Sequence, residues 1–383
     1  MCKHNVIERK NDFQRIFLRN VRLSLVDSKY LRKHLLKDDL IVSNQQCIKK
    51  VRQALMDLTS KEEPRTGYSS FYVFSLQRDC RDNEVKFFCY DILHGACLEL
   101  EPPSDTRLCT DTVELASCYG KVYAVDSNGG CYYFDPQSSR WSQLPSFPDT
   151  VPSIFSPTRW GHGMASLDGF LYLCGGNTTL GEPDGLTLRY DCKANTWEMV
   201  ASLCYPRCGT CAVACGRYLY AIGGEGKTLC SCVNVERYNP SKDTWVEVSP
   251  MTSPKGQRLK GVAAKDKIFV CMENICELNG CEIYNTSTDQ WQIVASPRAH
   301  KFNPPLGFDG SRVYVLGGSA CSKHSLSNLT QLYSIVKVQV LNMNTYQWSH
   351  HGTVFTTGYP INSCLMQVHR GLGPSEQSSC SIL

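Results

Sequence analysis

A tryptophan recurs at nearly regular intervals along this chain and is the strongest constraint on its fold. The intervals between successive copies are 56, 48, 46 and 57 residues, and the copies are Trp141, Trp197, Trp245, Trp291 and Trp348. A large apolar residue stands seven positions before each copy: Phe134, Tyr190, Tyr238, Tyr284 and Leu341. A period of about 50 residues indicates a repeat architecture, in which each unit buries its apolar face against its neighbours.

A short apolar segment precedes each aromatic pair and has the composition of a β-strand. Its six copies are Phe71 to Ser75, Lys121 to Val125, Phe170 to Cys174, Tyr218 to Ile222, Lys267 to Cys271 and Arg312 to Leu316. The first copy is followed by Tyr90 and, seven residues later, by Cys97 in place of tryptophan. Six copies predict an all-β propeller of six four-stranded blades.

Paired glycines follow three of these segments: Gly175-Gly176, Gly223-Gly224 and Gly317-Gly318. The other three copies carry Leu76-Gln77, Asp126-Ser127 and Met272-Glu273 at the same place. We expect each glycine pair to provide positive φ angles and a close backbone approach where the second strand of a blade ends.

The two ends of the repeat region predict how the ring closes. The first blade begins at its second strand, and an unmatched first strand, 363–369, follows the last blade. We expect residues 364–368 to pair with residues 72–74, because this pairing would remove an exposed sheet edge.

Residues 1–60 have a different pattern, with apolar residues at helical spacing within 11–58. The charge differs too, since residues 1–61 carry a net charge of +8 and the rest carries −4, against +4 for the whole chain. We interpret the basic excess as solvated helix faces and predict no nucleic-acid partner. The predicted organisation is a helical segment 1–60, a linker 61–69, the propeller 70–369 and a tail 370–383.

The composition predicts a cytoplasmic protein whose thiols are mostly reduced. The chain has 22 cysteines but no apolar stretch typical of a signal peptide or a membrane helix. In a large chain with its own apolar core, cysteines act mainly as small apolar side chains.

Residues 70–369 resemble a six-bladed kelch propeller, and residues 11–58 resemble the C-terminal end of the BACK domain of kelch-like proteins. The BACK resemblance lies mainly in Phe17-Leu-Arg-Asn-Val-Arg-Leu-Ser-Leu25 and Tyr30-Leu31. The resemblance to kelch-like proteins implies a substrate-recognition subunit similar to cullin-3 ubiquitin ligase adaptors, with a partner protein bound to the propeller. Cullin-3 is expected as a partner only if a BTB domain is supplied elsewhere. The alternative implied by other kelch propellers is binding to actin, with a cytoskeletal location.

Two motifs are typical of enzymes, but their context argues against catalysis. Residues 221–228 match a relaxed phosphate-binding loop, yet the next residues alternate as in a strand rather than a helix. The second motif has the spacing of an iron–sulfur cluster site and consists of Cys204, Cys208, Cys211 and Cys215. These cysteines fall in a loop and a strand, where they are expected to serve in packing. We interpret His162 as a structural hydrogen-bonding residue. The sequence therefore predicts a non-enzymatic protein without cofactor or metal.

An arginine recurs shortly before the first strand of five blades: Arg107, Arg159, Arg207, Arg258 and Arg298. Equivalent loops of a propeller converge on one face, so these residues would form a positive cup for carboxylates or phosphate. Possible aromatic and basic contacts in the same loops are Trp160, His300, Lys301, Phe302 and Tyr359. In the alternative, which the sequence leaves open, each arginine bonds carbonyls of its neighbouring blade.

The chain ends in Cys380-Ser-Ile-Leu383, which matches a prenylation box. A terminal leucine favours a geranylgeranyl group on Cys380. A single lipid without an adjoining polybasic run gives weak anchoring, so membrane contact is expected only if Cys380 is modified.

Overall fold

The computed structural model describes residues 47, 49–51, 69–79, 84–92, 96–102, 113–126, 130–147, 161–227, 232–252, 259–272, 281–296, 304–316, 334–356 and 358–369. The chain divides into two compact units, 1–68 and 69–383. In the first unit, Cys47 and residues 49–51 are helical, and Cys47 and Val51 are buried. The remaining predicted helical positions lie outside the described residues. Within the described part of the chain, no helix is long and apolar enough to span a bilayer.

The described residues of the second unit form six four-stranded antiparallel sheets, which confirms the predicted six-bladed propeller. Blade I takes three strands from the start of this unit: β1 (Ser69–Asp79), β2 (Val85–Asp91) and β3 (Ala96–Leu100). Blade II consists of β4 (Val113–Cys118), β5 (Lys121–Asp126), β6 (Cys131–Asp135) and β7 (Arg140–Gln143). Blade III consists of β8 (Gly163–Leu167), β9 (Phe170–Cys174), β10 (Thr187–Asp191) and β11 (Thr196–Val200).

The next three blades repeat the same order. Blade IV consists of β12 (Cys211–Cys215), β13 (Tyr218–Ile222), β14 (Val235–Asn239) and β15 (Thr244–Val248). Blade V consists of β16 (Leu259–Ala264), β17 (Lys267–Met272), β18 (Cys281–Asn285) and β19 (Gln290–Val294). Blade VI consists of β20 (Leu306–Phe308), β21 (Arg312–Leu316), β22 (Ser334–Asn342) and β23 (Trp348–Thr356). The six segments predicted as second strands are β1, β5, β9, β13, β17 and β21.

The last strand, β24 (Gly358–His369), closes the ring by completing blade I. It pairs antiparallel with β1, with Tyr72 opposite Met366 and Phe74 opposite Cys364, as predicted. The hydroxyl of Ser117 in β4 donates to the carbonyl of Leu365 at 2.6 Å, which fastens β24 to blade II. The innermost strands of the six blades surround a central cavity of 380 Å³.

Each recurring tryptophan also links its blade to the preceding one. In the described blades, its indole N–H donates to a carbonyl just beyond the last strand of that preceding blade, at 2.7 to 3.1 Å. The acceptors, in order, are Glu101, Pro145, Ala201, Ser249 and Ala295. The tryptophan therefore joins consecutive blades by a directional bond as well as by packing, which the spacing alone did not predict.

A second recurring bond fixes the turn before the tryptophan. The hydroxyl of Tyr238 donates to Asp243 at 2.6 Å, and Tyr284 donates in the same way to Asp289. Each carboxylate also accepts a backbone N–H from the segment entering that blade. Blade III has the equivalent bond from Tyr190 to Asn195, so an amide oxygen serves the same purpose.

The glycine pairs of blades III and IV have the predicted conformation. Gly175 has a φ of +66°, and a Cβ there would lie 2.4 Å from the carbonyl oxygen of Arg207. Gly224 has a φ of +97°, and a Cβ there would lie 2.6 Å from the carbonyl oxygen of Cys208. Both positions therefore combine a positive φ with a backbone approach that excludes any side chain. Gly317 and Gly318 lie outside the described residues.

We expect Trp245→Ala to destabilise the ring by about 3–5 kcal/mol, because the indole is 6% exposed and packs on Tyr238 at 5.1 Å. Trp245→Phe should cost less, since it keeps most of the packing and loses the bond to Ala201. The control is Val246→Ala on the exposed side of the same strand, with an expected cost below about 1 kcal/mol. Urea unfolding measures all three, and equal costs for Trp245→Ala and Val246→Ala would contradict the assignment.

We expect acid to destabilise the ring partly through Asp243 and Asp289. Hydrogen bonds from Tyr238 and Ala201 lower the pKa of Asp243; burial opposes ionisation of Asp289, but bonds from Tyr284 and Ser249 prevail and lower its pKa. Depressed folded-state pKa values add stability above the unfolded value, about 3.9, and this stability is lost as pH falls through the folded values.

The double variant Asp243→Asn/Asp289→Asn should keep the acceptor oxygens, as Asn195 does, but remove this titration. Its melting temperature should therefore fall less than that of the unmodified chain as pH drops below about 4. Thermal unfolding over a pH series tests this, and parallel pH profiles for the two proteins would refute it.

Candidate functional site

Two kinds of loop emerge on the same face of an antiparallel four-stranded blade. They are the loop between the second and third strands and the loop that leads from the outer strand to the next blade. For blades III and IV these loops are residues 175–186 and 201–210, which we call the loop platform. Arg207 belongs to it, so the platform lies on the face on which the sequence predicted a positive cup.

Backbone hydrogen bonds join the two loops of the platform. The N–H of Gly176 donates to the carbonyl of Arg207 at 2.8 Å, and the N–H of Arg207 donates to Asp184 at 3.0 Å. A third bond runs from the N–H of Leu203 to the carbonyl of Gly185 at 2.8 Å. The platform is therefore a single hydrogen-bonded unit rather than two independent loops.

Arg207 does not project from this face, which corrects the prediction that it forms part of a binding cup. Its side chain is fully buried and forms an ion pair with Glu236 at 2.6 Å. The guanidinium also donates to the carbonyls of Gly223 and Asn234, at 3.1 and 2.8 Å. In the alternative prediction, the arginine bonds carbonyls of its neighbouring blade. The observed acceptors belong to blade IV itself, and they include the carboxylate of Glu236, which was not among the predicted partners.

Glu236 is the buried anion that holds Arg207 inside the blade. Its carboxylate also accepts the backbone N–H groups of Cys204 and Tyr205, at 2.6 and 3.2 Å. A buried carboxylate is tolerated when it is paired and hydrogen-bonded in this way. A signal was available in the sequence: Glu236 stands in β14 at a position that the strand alternation directs inward.

The platform exposes two large side chains that the sequence analysis did not select. Leu180 is 76% exposed and Tyr205 is 47% exposed. Leu180 sits on a turn in which the N–H of Gly181 donates to the carbonyl of Thr178 at 2.9 Å. The only sequence signal for Leu180 was a single aliphatic residue within a loop of small and polar residues.

Most of the other predicted contact residues lie outside the described part of the chain. Those outside the described residues are Arg107, Arg159, Trp160, Arg258, Arg298, His300, Lys301 and Phe302, and Cys380 is outside them as well. Tyr359 is in β24, opposite Arg78 of β1. The positive cup therefore remains a prediction for four of its five arginines.

The two enzyme-like motifs are integrated into blade IV. The N–H groups of Gly223 and Glu225 donate to the carbonyls of Asn234 and Cys208, so these amides are not directed at a ligand. Cys211 and Cys215 are buried at the two ends of β12, whereas Cys204 is exposed in the platform. Among the described residues, no group of three or more His, Cys, Asp or Glu side chains is arranged to hold a metal ion.

Comparison with known proteins agrees with the architecture. The Kelch motif matches residues 206–252, which contain all four strands of blade IV. Kelch-like protein 25 of Xenopus tropicalis is 25% identical over 345 residues, covering 82% of this chain and 55% of the relative. Human Kelch repeat and BTB domain-containing protein 13 is 29% identical over 235 residues, covering 57% of this chain and 50% of the relative.

A third relative, human Kelch-like protein 11, is 25% identical over 309 residues, covering 77% of this chain and 37% of the relative. The chain thus spans about half the length, or less, of these relatives. Six blades with recurring tyrosine, tryptophan and paired glycines agree with these similarities. The chain is therefore similar to kelch-like proteins, and its six-bladed propeller matches a kelch propeller.

Proposed function

We propose that this chain is the substrate-recognition part of a cullin-3 type ubiquitin ligase adaptor, and that the loop face of its propeller captures the substrate. The observation that carries the proposal is the loop platform, a hydrogen-bonded loop pair that exposes Leu180 and Tyr205. The similarity to kelch-like proteins, one of which has a BTB domain in its name, supports the adaptor role. In this proposal, cullin-3 binds the adaptor only if a BTB domain is supplied elsewhere.

The platform has the physical properties of a protein-binding surface. An aromatic and an aliphatic side chain on a fixed backbone provide anchors whose ordering cost on binding is small. The hydroxyl of Tyr205 is held toward Glu247 at 3.3 Å, which restrains the ring on the surface. The predicted arginines Arg107, Arg159, Arg258 and Arg298 would surround such anchors with positive charge, so the proposed partner presents an apolar residue flanked by carboxylates.

The platform can be tested with Leu180→Asp/Tyr205→Ala, which removes both anchors without touching the core. The matched control is Ile293→Asp, because Ile293 is 60% exposed in the outer strand β19 rather than on the platform. We expect at least about tenfold weaker capture by the double variant of partners bound by the unmodified protein, and no loss in the control. Quantitative mass spectrometry of bound partners, followed by affinity measurements, provides the readout.

The adaptor role is tested separately by following the half-life of a captured partner in cells with and without cullin-3 activity. Faster turnover that requires both cullin-3 and the intact platform is the expected result. Capture without turnover, combined with cosedimentation on actin filaments, would instead favour the cytoskeletal alternative. Equal capture by the platform variant and the control would refute the assignment of the face.

Charge reversal at Arg159 and Arg258 tests the positive cup. Arg159→Glu/Arg258→Glu should weaken capture of an acidic partner and leave the unfolding midpoint unchanged. Retained capture by the folded variant would remove the cup from the proposal.

Arg207→Met should behave differently from these charge reversals, because it leaves Glu236 buried without its ion-pair partner. The expected loss of stability is about 3–5 kcal/mol. The double variant Arg207→Met/Glu236→Met should recover only part of this loss, since it also removes the acceptor for Cys204 and Tyr205. Urea unfolding measures both, and an unchanged midpoint for Arg207→Met would contradict its structural role.

A further inference from the structure

Two cysteine thiols meet across the seam between blades II and III. Cys118 is the last residue of β4, and Cys192 follows the end of β10. Their side chains pack in the same core cluster, where they are hydrogen-bonded to each other, and neither forms a disulfide. Cys118 is buried, while Cys192 is partly exposed, so one member of the pair can be reached from solvent.

The backbone and the neighbouring side chains fix Cys192 in this position. Its N–H donates to the carbonyl of Gly169 at 3.2 Å, which holds it in blade III. The next residue, Lys193, lies over the ring of Tyr119 in blade II at 5.1 Å, so two consecutive contacts cross the same seam. The thiols therefore face each other because the blades are held in register there.

The surroundings also favour the thiolate form of Cys192. Hydrogen bonds from Cys118 and Tyr123, together with the charge of Lys121, outweigh burial and lower its pKa. Burial has the opposite effect elsewhere, since it raises the pKa of Cys211 to about 12 and that of Cys215 to about 11. A thiolate is the form that reacts with oxidants and disulfides.

The residues equivalent to Cys118 and Cys192 are different at the other seams for which both positions are described. Between blades III and IV the two positions hold Leu167 and Pro240, and between blades V and VI they hold Ala264 and Met343. Between blades IV and V the two positions hold Cys215, whose thiol donates to the carbonyl of Lys265 at 3.1 Å, and Thr286. Among these four seams, two thiols meet only between blades II and III.

We propose that Cys118 and Cys192 form a reversible disulfide that fastens blade II to blade III when the protein meets a peroxide. The thiolate of Cys192 attacks one peroxide oxygen, breaking the O–O bond to give a sulfenic acid and, with a proton, one water. The sulfur of Cys118 then attacks this sulfenic sulfur, forming the S–S bond and releasing the second water. Two thiols are oxidised to one disulfide, and one hydrogen peroxide is reduced to two waters.

The position of the bond predicts what oxidation would change. Cys118 and Cys192 follow the first and third strands of their blades, whereas the platform loops follow the second and fourth strands. The disulfide would therefore lie on the face opposite the loop platform and leave that face free. It would close a long loop, from 118 to 192, and so restrain the unfolded chain.

The test is treatment of the purified, folded full chain with hydrogen peroxide, then alkylation, trypsin digestion and mass spectrometry. Trypsin releases Cys192 in Tyr190–Lys193 and Cys118 in Leu108–Lys121, which also contains Cys109. A Cys109→Ser background makes the assignment unambiguous. We expect these two peptides to be cross-linked, with release by dithiothreitol and a rise in melting temperature of about 5 °C on oxidation.

Two variants serve as controls, because they exchange cysteine and threonine between equivalent positions of two seams. Cys192→Thr copies the Cys215–Thr286 pair and should fold normally but lose both the cross-link and the response of the melting temperature. Thr286→Cys should create a second peroxide-dependent cross-link, to Cys215, between blades IV and V. The proposal is overturned if folded protein accumulates sulfinic acid at Cys192 without the cross-link, or if the cross-link forms only in urea.

Discussion

The pairing of β24 with β1 is the constraint on which the rest of the ring depends. It joins residues nearly 300 positions apart, so its large loop-closure entropy must be offset by contacts that form only when the ring is complete. Cys364 and Met366 of β24 pack in the core shared with blade II, and Leu365 packs against the cores involving blades V and VI. Without β24, blade I would have three strands and an open edge.

Within the closed ring, one inter-blade contact is repeated with small changes. The indole bond to the preceding blade occurs at all five recurring tryptophans and fixes the position of each blade relative to the one before it. The distinctive chemistry lies where the repeat departs from this pattern. Glu236 pairs with Arg207 inside blade IV, and Cys118 contacts Cys192 at the seam between blades II and III.

These departures explain the error about Arg207. Arginines in equivalent loops were expected to behave alike, because a propeller directs equivalent loops to one face. The direction of an individual side chain is instead decided by the groups available to it, and Glu236 with two inward carbonyls stabilises the buried rotamer. Spacing predicts which loop a residue occupies, but it does not predict whether its side chain turns toward solvent or into the blade.

The sequence by itself determined the blade number, the second strand of each blade, the conformation of two glycine pairs and the closing strand. These features follow from local periodicity, and every blade repeats the same local signals. Only the tertiary structure decided that Arg207 is buried, that Leu180 and Tyr205 are exposed together on one platform, and that Cys118 meets Cys192. Each of these depends on which residues of separate blades become neighbours, and that information is contained in the packing of the ring rather than in any local stretch of the chain.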